Sequence, residues 1–535
     1  MREETSAARG AMALSIAGIV SKIISVAYTP ILIEILGVYG YGIYSKVLTV
    51  FLFVYALTSA GVQPAVAKVV AEYNARENHK GAIKTLKVAR KFYVFVGLFA
   101  CLIMIAIAYP MAEIMKTSKV TYGIMFLGPC VFITCILSVY RGFMQGSNNM
   151  KAIAISQIVE QLINVILSLL CAYILVSVGT EYGVAGAQVG TSVGAFVAII
   201  YVIYCFKRGR YEEEALREVD TRKLNAKRIR NRILVYSIPI IMSSGLQNLG
   251  SLIDSGNVST ILERIGYNEV EANTLYGYYG AYLTLIGVPM VIITAICTIV
   301  LPAITKARAI KDQKEVRRKI RFGYKSVFAI VIPAAVGLSM VAEPLYIALY
   351  GSKEGSNMLV IGSFILIIMA IAQLQTSILQ GINNFYYILI SYGIGIALKI
   401  ILNYICVGIP SINIYGVLIG NTAWYLVPAI MNHIKIRKIT KAKVNIVRLV
   451  AKPIFASLIM ALSIIIVKQP LDLIFRFAGV SRLTCVPVIL VEVMVGAFAY
   501  IYVMISCGGI RKNDIESISV RLVTMLPKFL RKKLR

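Results

Sequence analysis

Long apolar runs recur from one end of this chain to the other, and they leave few folds open. A run of about 20 residues is long enough to cross a hydrocarbon layer about 30 Å thick as a helix. Within that layer every backbone N–H and C=O must find its partner inside the protein, so only helices and closed barrels cross it. Barrel strands alternate apolar and polar residues, and these runs do not. Fourteen segments can be read, at 10–33, 43–66, 91–111, 120–144, 152–176, 183–206, 233–261, 277–304, 323–347, 358–380, 386–408, 413–434, 451–468 and 484–506. Of 535 residues, 58% are hydrophobic and 15% charged, whereas a soluble domain would carry about 25% charge. The expectation is an all-α integral membrane protein with about 14 transmembrane helices.

Two short strings return in the same order. Pro64-Ala65-Val66-Ala67-Lys68 reappears as Pro302-Ala303-Ile304-Thr305-Lys306, shifted by 238, and Gln145-Gly146-Ser147-Asn148-Asn149 as Gln380-Gly381-Ile382-Asn383-Asn384, shifted by 235. A weaker echo pairs Gly186 and Gly190 with Gly416 and Gly420, shifted by 230. Collinear matches at nearly one offset point to a duplicated bundle, a common way to build transporters. Helices 1–6 then oppose helices 7–12 as two parallel six-helix lobes, because each copy holds an even number of helices. Helices 13 and 14 are an addition. The expected division is an N-lobe at 1–206, a basic linker at 207–232, a C-lobe at 233–434, a loop with helices 13–14 at 435–506, and a basic amphipathic tail at 507–535.

Charge sets the orientation. The net charge of +30 suggests nucleic acid at first sight, but the basic residues lie in the loops between apolar runs. By position, 44 Lys and Arg lie on the side of both termini, 7 on the opposite side and 4 within helices. That asymmetry predicts cytoplasmic termini for a protein of the bacterial plasma membrane. The linker's ten basic residues and the tail read as segments near anionic lipid. The stretches Tyr39, Tyr41, Tyr44 and Tyr276, Tyr278, Tyr279, Tyr282 read mainly as an interfacial aromatic belt. Nine cysteines without a Cys-x-x-Cys, and two distant histidines, predict neither a disulfide framework nor a metal site.

No loop is long enough for a soluble catalytic domain, and no phosphate-binding Gly-rich loop precedes a Lys-Ser/Thr. The informative groups are ionisable side chains inside the membrane, where they are costly and mark function. Lys22, Lys46, Arg141 and Glu160 fall in the first lobe, and Asp254 and Lys399 in the second. Lys22, Lys46 and Arg141 would give the first lobe a basic lining suited to an anion such as a pyrophosphate, though Lys46 and Arg141 could equally snorkel to the interfaces. Asp254 and Lys399 could face each other, either as a coupling element or as a static ion pair. Gln157, Glu160, Gln161 and Asn164 form one polar stripe, a pattern that more often joins helices than binds substrate. Pro64, Pro239, Pro289, Pro302 and Pro333 interrupt apolar runs and could kink them.

Several stretches resemble a known family. Ser21-Lys22-Ile23, Ile35-Leu36-Gly37 and Tyr41-Gly42-Ile43-Tyr44 look like the opening of polysaccharide-export flippases. Thr58-Ser59-Ala60-Gly61-Val62, Pro64 to Lys68, Ala71-Glu72 and Arg141-Gly142-Phe143-Met144-Gln145-Gly146 resemble the stage V sporulation protein B branch. That group lies within the multidrug, oligosaccharidyl-lipid and polysaccharide exporter superfamily and is related to lipid II flippases. The resemblance implies a two-lobed transporter with a V-shaped cationic cavity that alternates between inward- and outward-open states. The implied cargo is an undecaprenyl-pyrophosphate-linked sugar such as lipid II. Lys22 matches a first-helix position expected to meet the diphosphate, while Ser25-Val26-Ala27-Tyr28-Thr29 lacks the further basic residue that often follows. Lys399 would stand in place of a bound cation beside Asp254.

The leading expectation is therefore a flippase or exporter, not an enzyme. It needs no cofactor and draws on a coupling cation or the membrane potential. Its partners would be a lipid-linked sugar pyrophosphate, membrane lipids and cell-wall synthesis proteins, with no nucleic acid and a monomeric state. One alternative is a cation-coupled multidrug exporter on the same fold. Another is a membrane-embedded glycosyl- or phosphotransferase, for which Glu263, Glu269 and Glu271 on one outer loop are the available carboxylates.

Overall fold

The computed structural model describes residues 2–217, 225–441, 444–478 and 481–509. The expected tail beyond 509 and linker positions 218–224 lie outside the described residues. Among those residues the secondary structure is helical, with no strand. They gather into two compact units, one from 1–288 and 385–424, the other from 289–384 and from 425 onward.

The first unit holds α1 (Arg2–Thr58), α2 (Val62–Asn74), α3 (His79–Ala106), α4 (Ala108–Ile114), α5 (Val120–Gly146), α6 (Met150–Val176), α7 (Thr180–Arg208), α8 (Tyr211–Arg217) and α9 (Ala226–Arg264). α10 (Glu269–Ala309) leaves that unit at Pro289. The second unit continues with α11 (Gln313–Met340), α12 (Ala342–Tyr350), α13 (Ser356–Gly362) and α14 (Ile365–Gly381). α15 (Phe385–Val407) and the start of α16 (Gly416–Thr440) belong to the first unit. α17 (Ile446–Ala478) and α18 (Arg482–Ser506) belong to the second.

Among the described residues, twelve stretches are long and apolar enough to span a membrane, or thirteen if α13 and α14, bent by 51°, count as one span. The difference from fourteen lies at the start, where the expected segments 10–33 and 43–66 share one stretch, Ile16–Asn74. α1 runs through the expected loop and breaks only at Gly37, whose φ of 70° and ψ of 167° suit glycine. The second expected segment also ends early, at Thr58. The chain turns before α2, which carries Pro64 in its first turn, where proline removes no helical hydrogen bond. Pro239, Pro289, Pro302 and Pro333 lie inside continuous helices.

The two recurring strings meet each other in both copies. At the end of α5, Asn148 takes a left-handed φ of 57°, and Asn149 N–H donates to Met144 O at 2.8 Å. At the end of α14, Asn383 takes φ 59° and Asn384 N–H donates to Leu379 O at 2.9 Å. Asparagine tolerates this region better than other side chains. Gly146 packs against α2, where a Cβ would lie 2.6 Å from Ala67 O and 2.7 Å from Val70 Cβ. Gly381 packs against the Pro302 string of α10, where a Cβ would lie 3.1 Å from Leu301 O and 3.2 Å from Ile304 Cγ2. Each turn is thus clamped onto its own Pro-Ala helix.

The tyrosines differ from expectation. Tyr41 and Tyr44 stack at 5.8 Å, and their counterparts 238 residues on, Tyr279 and Tyr282, stack at 5.9 Å. All four are buried, as is Tyr276, so these rings pack helices together instead of facing an interface. Their place near the ends of apolar segments gave no sign of helix packing.

Overpacking a buried contact costs about 1–3 kcal/mol. Gly146→Ala, which meets α2 backbone, should lower the thermal midpoint of the purified protein clearly more than Gly381→Ala, which has more room. Gly393→Ala, with open space around it, should leave the midpoint unchanged.

Candidate functional site

The six charged residues singled out above all lie in the first unit, and packing gives them different partners. Asp254 on α9 and Lys399 on α15 are fully buried and paired at 2.8 Å. Asn403 Nδ2 donates to Asp254 Oδ1 at 2.8 Å, and Tyr279 OH donates to Asp254 Oδ2 at 3.1 Å. The Lys399 ammonium also donates to Asn421 Oδ1 at 2.7 Å and sits 4.1 Å from the Trp424 ring centroid. Asn421 Nδ2 closes the ring by donating to Tyr279 OH at 2.7 Å. Four helices, α9, α10, α15 and α16, therefore share one hydrogen-bonded cluster in which the two charges cancel.

Arg141 and Glu160 also come together. Arg141 Nη2 donates to Glu160 Oε2 at 2.7 Å, and its Nε donates to Ser156 Oγ at 2.9 Å. Arg141 is 8% exposed, while Glu160 is partly open. Snorkelling to an interface is not what holds this arginine: α6 supplies its partners.

Lys46 is fully buried and has neutral partners. Its ammonium donates to Thr117 Oγ1 at 2.9 Å and Met115 O at 3.3 Å, and lies 5.6 Å from the Tyr276 ring centroid. Asn273 Nδ2 on α10 donates to the same Thr117 oxygen at 3.2 Å. In this conformation Lys46 joins helices and is closed to a ligand.

Lys22 is the exception. It is partly exposed on α1, and its Nζ occupies space left by Gly287 of α10, where a Cβ would lie 2.7 Å away. No hydrogen bond or ion pair is recorded for it among the described residues, and an intramembrane ammonium without a counter-charge is costly.

The duplication explains one feature of the buried cluster. With the 235 shift, Asn164 and Ser168 of α6 correspond to Lys399 and Asn403 of α15; with the 230 shift, Thr191 corresponds to Asn421. In the first copy Ser168 Oγ and Thr191 Oγ1 donate to Asn164 Oδ1 at 2.8 and 3.1 Å. In the other copy Lys399 bonds Asn421, the counterpart of Thr191, while Asn403, the counterpart of Ser168, turns to Asp254. Asn403, Asn421, Tyr279 and Trp424 were not singled out as site residues. The i, i+4 spacing of Lys399 and Asn403 was the available signal.

Membrane-length helices that enclose paired charges define a polytopic membrane protein. The signature of the polysaccharide biosynthesis protein family matches residues 7–308, and the chain belongs to that family, within the superfamily of multidrug, oligosaccharidyl-lipid and polysaccharide exporters. Lipid II flippase MurJ of Bacillus subtilis (strain 168) is 24% identical over 547 residues, covering 98% of each chain. Stage V sporulation protein B of the same organism is 26% identical over 441 residues, covering 82% of this chain and 85% of that protein. An inward-facing multidrug resistance MATE family transporter of the MOP superfamily superposes with a TM-score of 0.64 at 16% identity, over 81% of this chain and 98% of that one, which shows a shared fold. The chain is a multi-pass membrane protein of the flippase and exporter class, not an enzyme.

Removing one partner of a buried pair leaves an uncompensated charge and costs about 3–5 kcal/mol. Lys399→Met alone should therefore lower the thermal midpoint strongly, and Asp254→Asn combined with Lys399→Met should recover much of the loss. Additive losses in the double variant would show that the pair is not coupled.

Proposed function

We propose that this protein moves an undecaprenyl-pyrophosphate-linked oligosaccharide or peptidoglycan precursor, of the lipid II type, from the inner to the outer leaflet of the bacterial plasma membrane by alternating access. The carrying observation is Lys22, a partly exposed ammonium inside the span for which the described residues provide no counter-charge. A diphosphate supplies that charge, and a charge-assisted contact is stronger than a neutral one. The relation to a lipid II flippase along nearly the whole of both chains supports the same cargo class. No covalent step is needed: the headgroup binds, the lipid chains stay in the bilayer, and the binding site changes the side it faces.

In this reading both termini are cytoplasmic, the lobes are the duplicated halves, and Asp254 with Lys399 couples transport to a cation. Neutralising either member leaves the other charged and sealed from water, which gives the cluster two states of very different energy. Arg141, already satisfied by Glu160, becomes a headgroup partner only by exchanging that carboxylate for the cargo.

In vesicles containing fluorescent lipid II and purified protein, Lys22→Ala should lose flipping by roughly tenfold or more, the effect of about 1.4 kcal/mol, with insertion unchanged. Lys22→Arg should retain a measurable part. Full flipping by Lys22→Ala would remove Lys22 from the site, and absence of lipid II flipping by the native chain would remove the cargo assignment.

A further inference from the structure

The basic end of α9 carries a site that the transport reading leaves unused. A cavity of about 380 Å3 opens there among Lys227, Arg228, Asn231, Arg232 and Tyr236. Lys227, Arg228 and Asn231 are exposed. Arg232 is partly buried and paired with Glu72 of α2, whose other oxygen accepts from Tyr236 OH at 3.4 Å. Lys68 stands 3.8 Å from the Tyr236 ring centroid. Three cations, Lys227, Arg228 and Arg232, thus line the cavity, and of these Arg232 holds the carboxylate of Glu72. The first amides of α9 are already taken, since Asn225 Oδ1 accepts from the N–H of Lys227 and Arg228. Recognition of an anion therefore falls to the side chains and not to the helix terminus.

A second observation concerns what lies beyond the cavity. Along the same helical face, at spacings of three and four residues, Val235, Ile238 and Met242 are 67%, 47% and 48% exposed. One face of α9 is cationic and amide-bearing at Arg228 and Asn231, then apolar for two turns. From Arg228 to Met242 the helix rises about 21 Å, at about 1.5 Å per residue. That order, a charged pocket followed by an apolar track running into the span, is the complement of an amphiphile with an anionic head.

We propose that this face binds the phosphate headgroup of an anionic lipid, with Lys227, Arg228 and Arg232 on the phosphate and the acyl chain along Val235, Ile238 and Met242. A basic pocket at the membrane surface favours anionic over zwitterionic headgroups through each Lys or Arg it offers. The occupant is a resident phosphodiester lipid such as phosphatidylglycerol, whose single anionic headgroup matches the exposed Lys227 and Arg228. The site stands apart from Lys22 and does not depend on the transport reading.

The test uses the full chain purified with equal amounts of phosphatidylglycerol and phosphatidylcholine, the retained lipid being counted by native mass spectrometry. The native protein should retain phosphatidylglycerol roughly tenfold over phosphatidylcholine. Lys227→Gln with Arg228→Gln should lose that preference, while Lys227→Arg with Arg228→Lys keeps it and shows that charge, not folding, is read. Lys22→Ala should leave the preference intact. Displacement of phosphatidylglycerol by undecaprenyl pyrophosphate from the native protein would overturn the resident lipid as occupant, and persistence of phosphatidylglycerol supports it. An unchanged preference in the glutamine variant, or no preference in the native protein, overturns the proposal.

Discussion

The energy of charge inside hydrocarbon organises this protein. An intramembrane ion must be paired, hydrogen-bonded or near water, and the first unit meets that demand differently at each basic site. Lys399 has a carboxylate, an amide oxygen and an aromatic face. Arg141 has Glu160 and Ser156. Lys46 has two neutral oxygens and is shut away from any ligand. Only after these are accounted for does Lys22 stand out, because its surroundings make room for it without neutralising it. Function is therefore read from the charge that packing leaves unanswered and not from the number of charges.

The recurring strings mark local geometry that the chain forms twice. The left-handed asparagines at 148 and 383, and the glycine contacts beneath them, show the same corner formed twice. The Asn164, Ser168 and Thr191 joint and its charged counterpart at Lys399, Asn403 and Asn421 show where the copies diverged. In the charged counterpart Asp254 on α9 supplies the opposite charge to Lys399. The result ties four helices into a unit whose stability depends on both ions.

Much of the fold was legible because length and apolar character are what a bilayer selects. The helices near 120–146, 150–176, 180–208 and 482–506 follow the segments closely. The break at Gly37 was harder, since a helix can continue through a stretch that hydropathy reads as a loop. At the site, Asp254 and Lys399 could be suspected as partners from opposite charge on separate helices. The Arg141–Glu160 pair was not seen, because each residue had its own explanation. Lys46 was read either as part of a basic lining or as snorkelling to an interface, and the tyrosines mainly as a belt, while their burial depends on neighbours far away in sequence, such as Thr117 and Asn273. Asparagine and tyrosine around Lys399 carry no signature of their own; only the folded arrangement makes them a cage.

The central claim is that Lys22 supplies the charge that recognises a lipid-linked diphosphate. It is tested most directly by equilibrium binding of undecaprenyl pyrophosphate and undecaprenol to purified native protein and to Lys22→Ala. The account predicts that the native protein prefers the pyrophosphate and that Lys22→Ala binds the two lipids alike, with undecaprenol affinity unchanged. A pyrophosphate preference that survives in Lys22→Ala would contradict it.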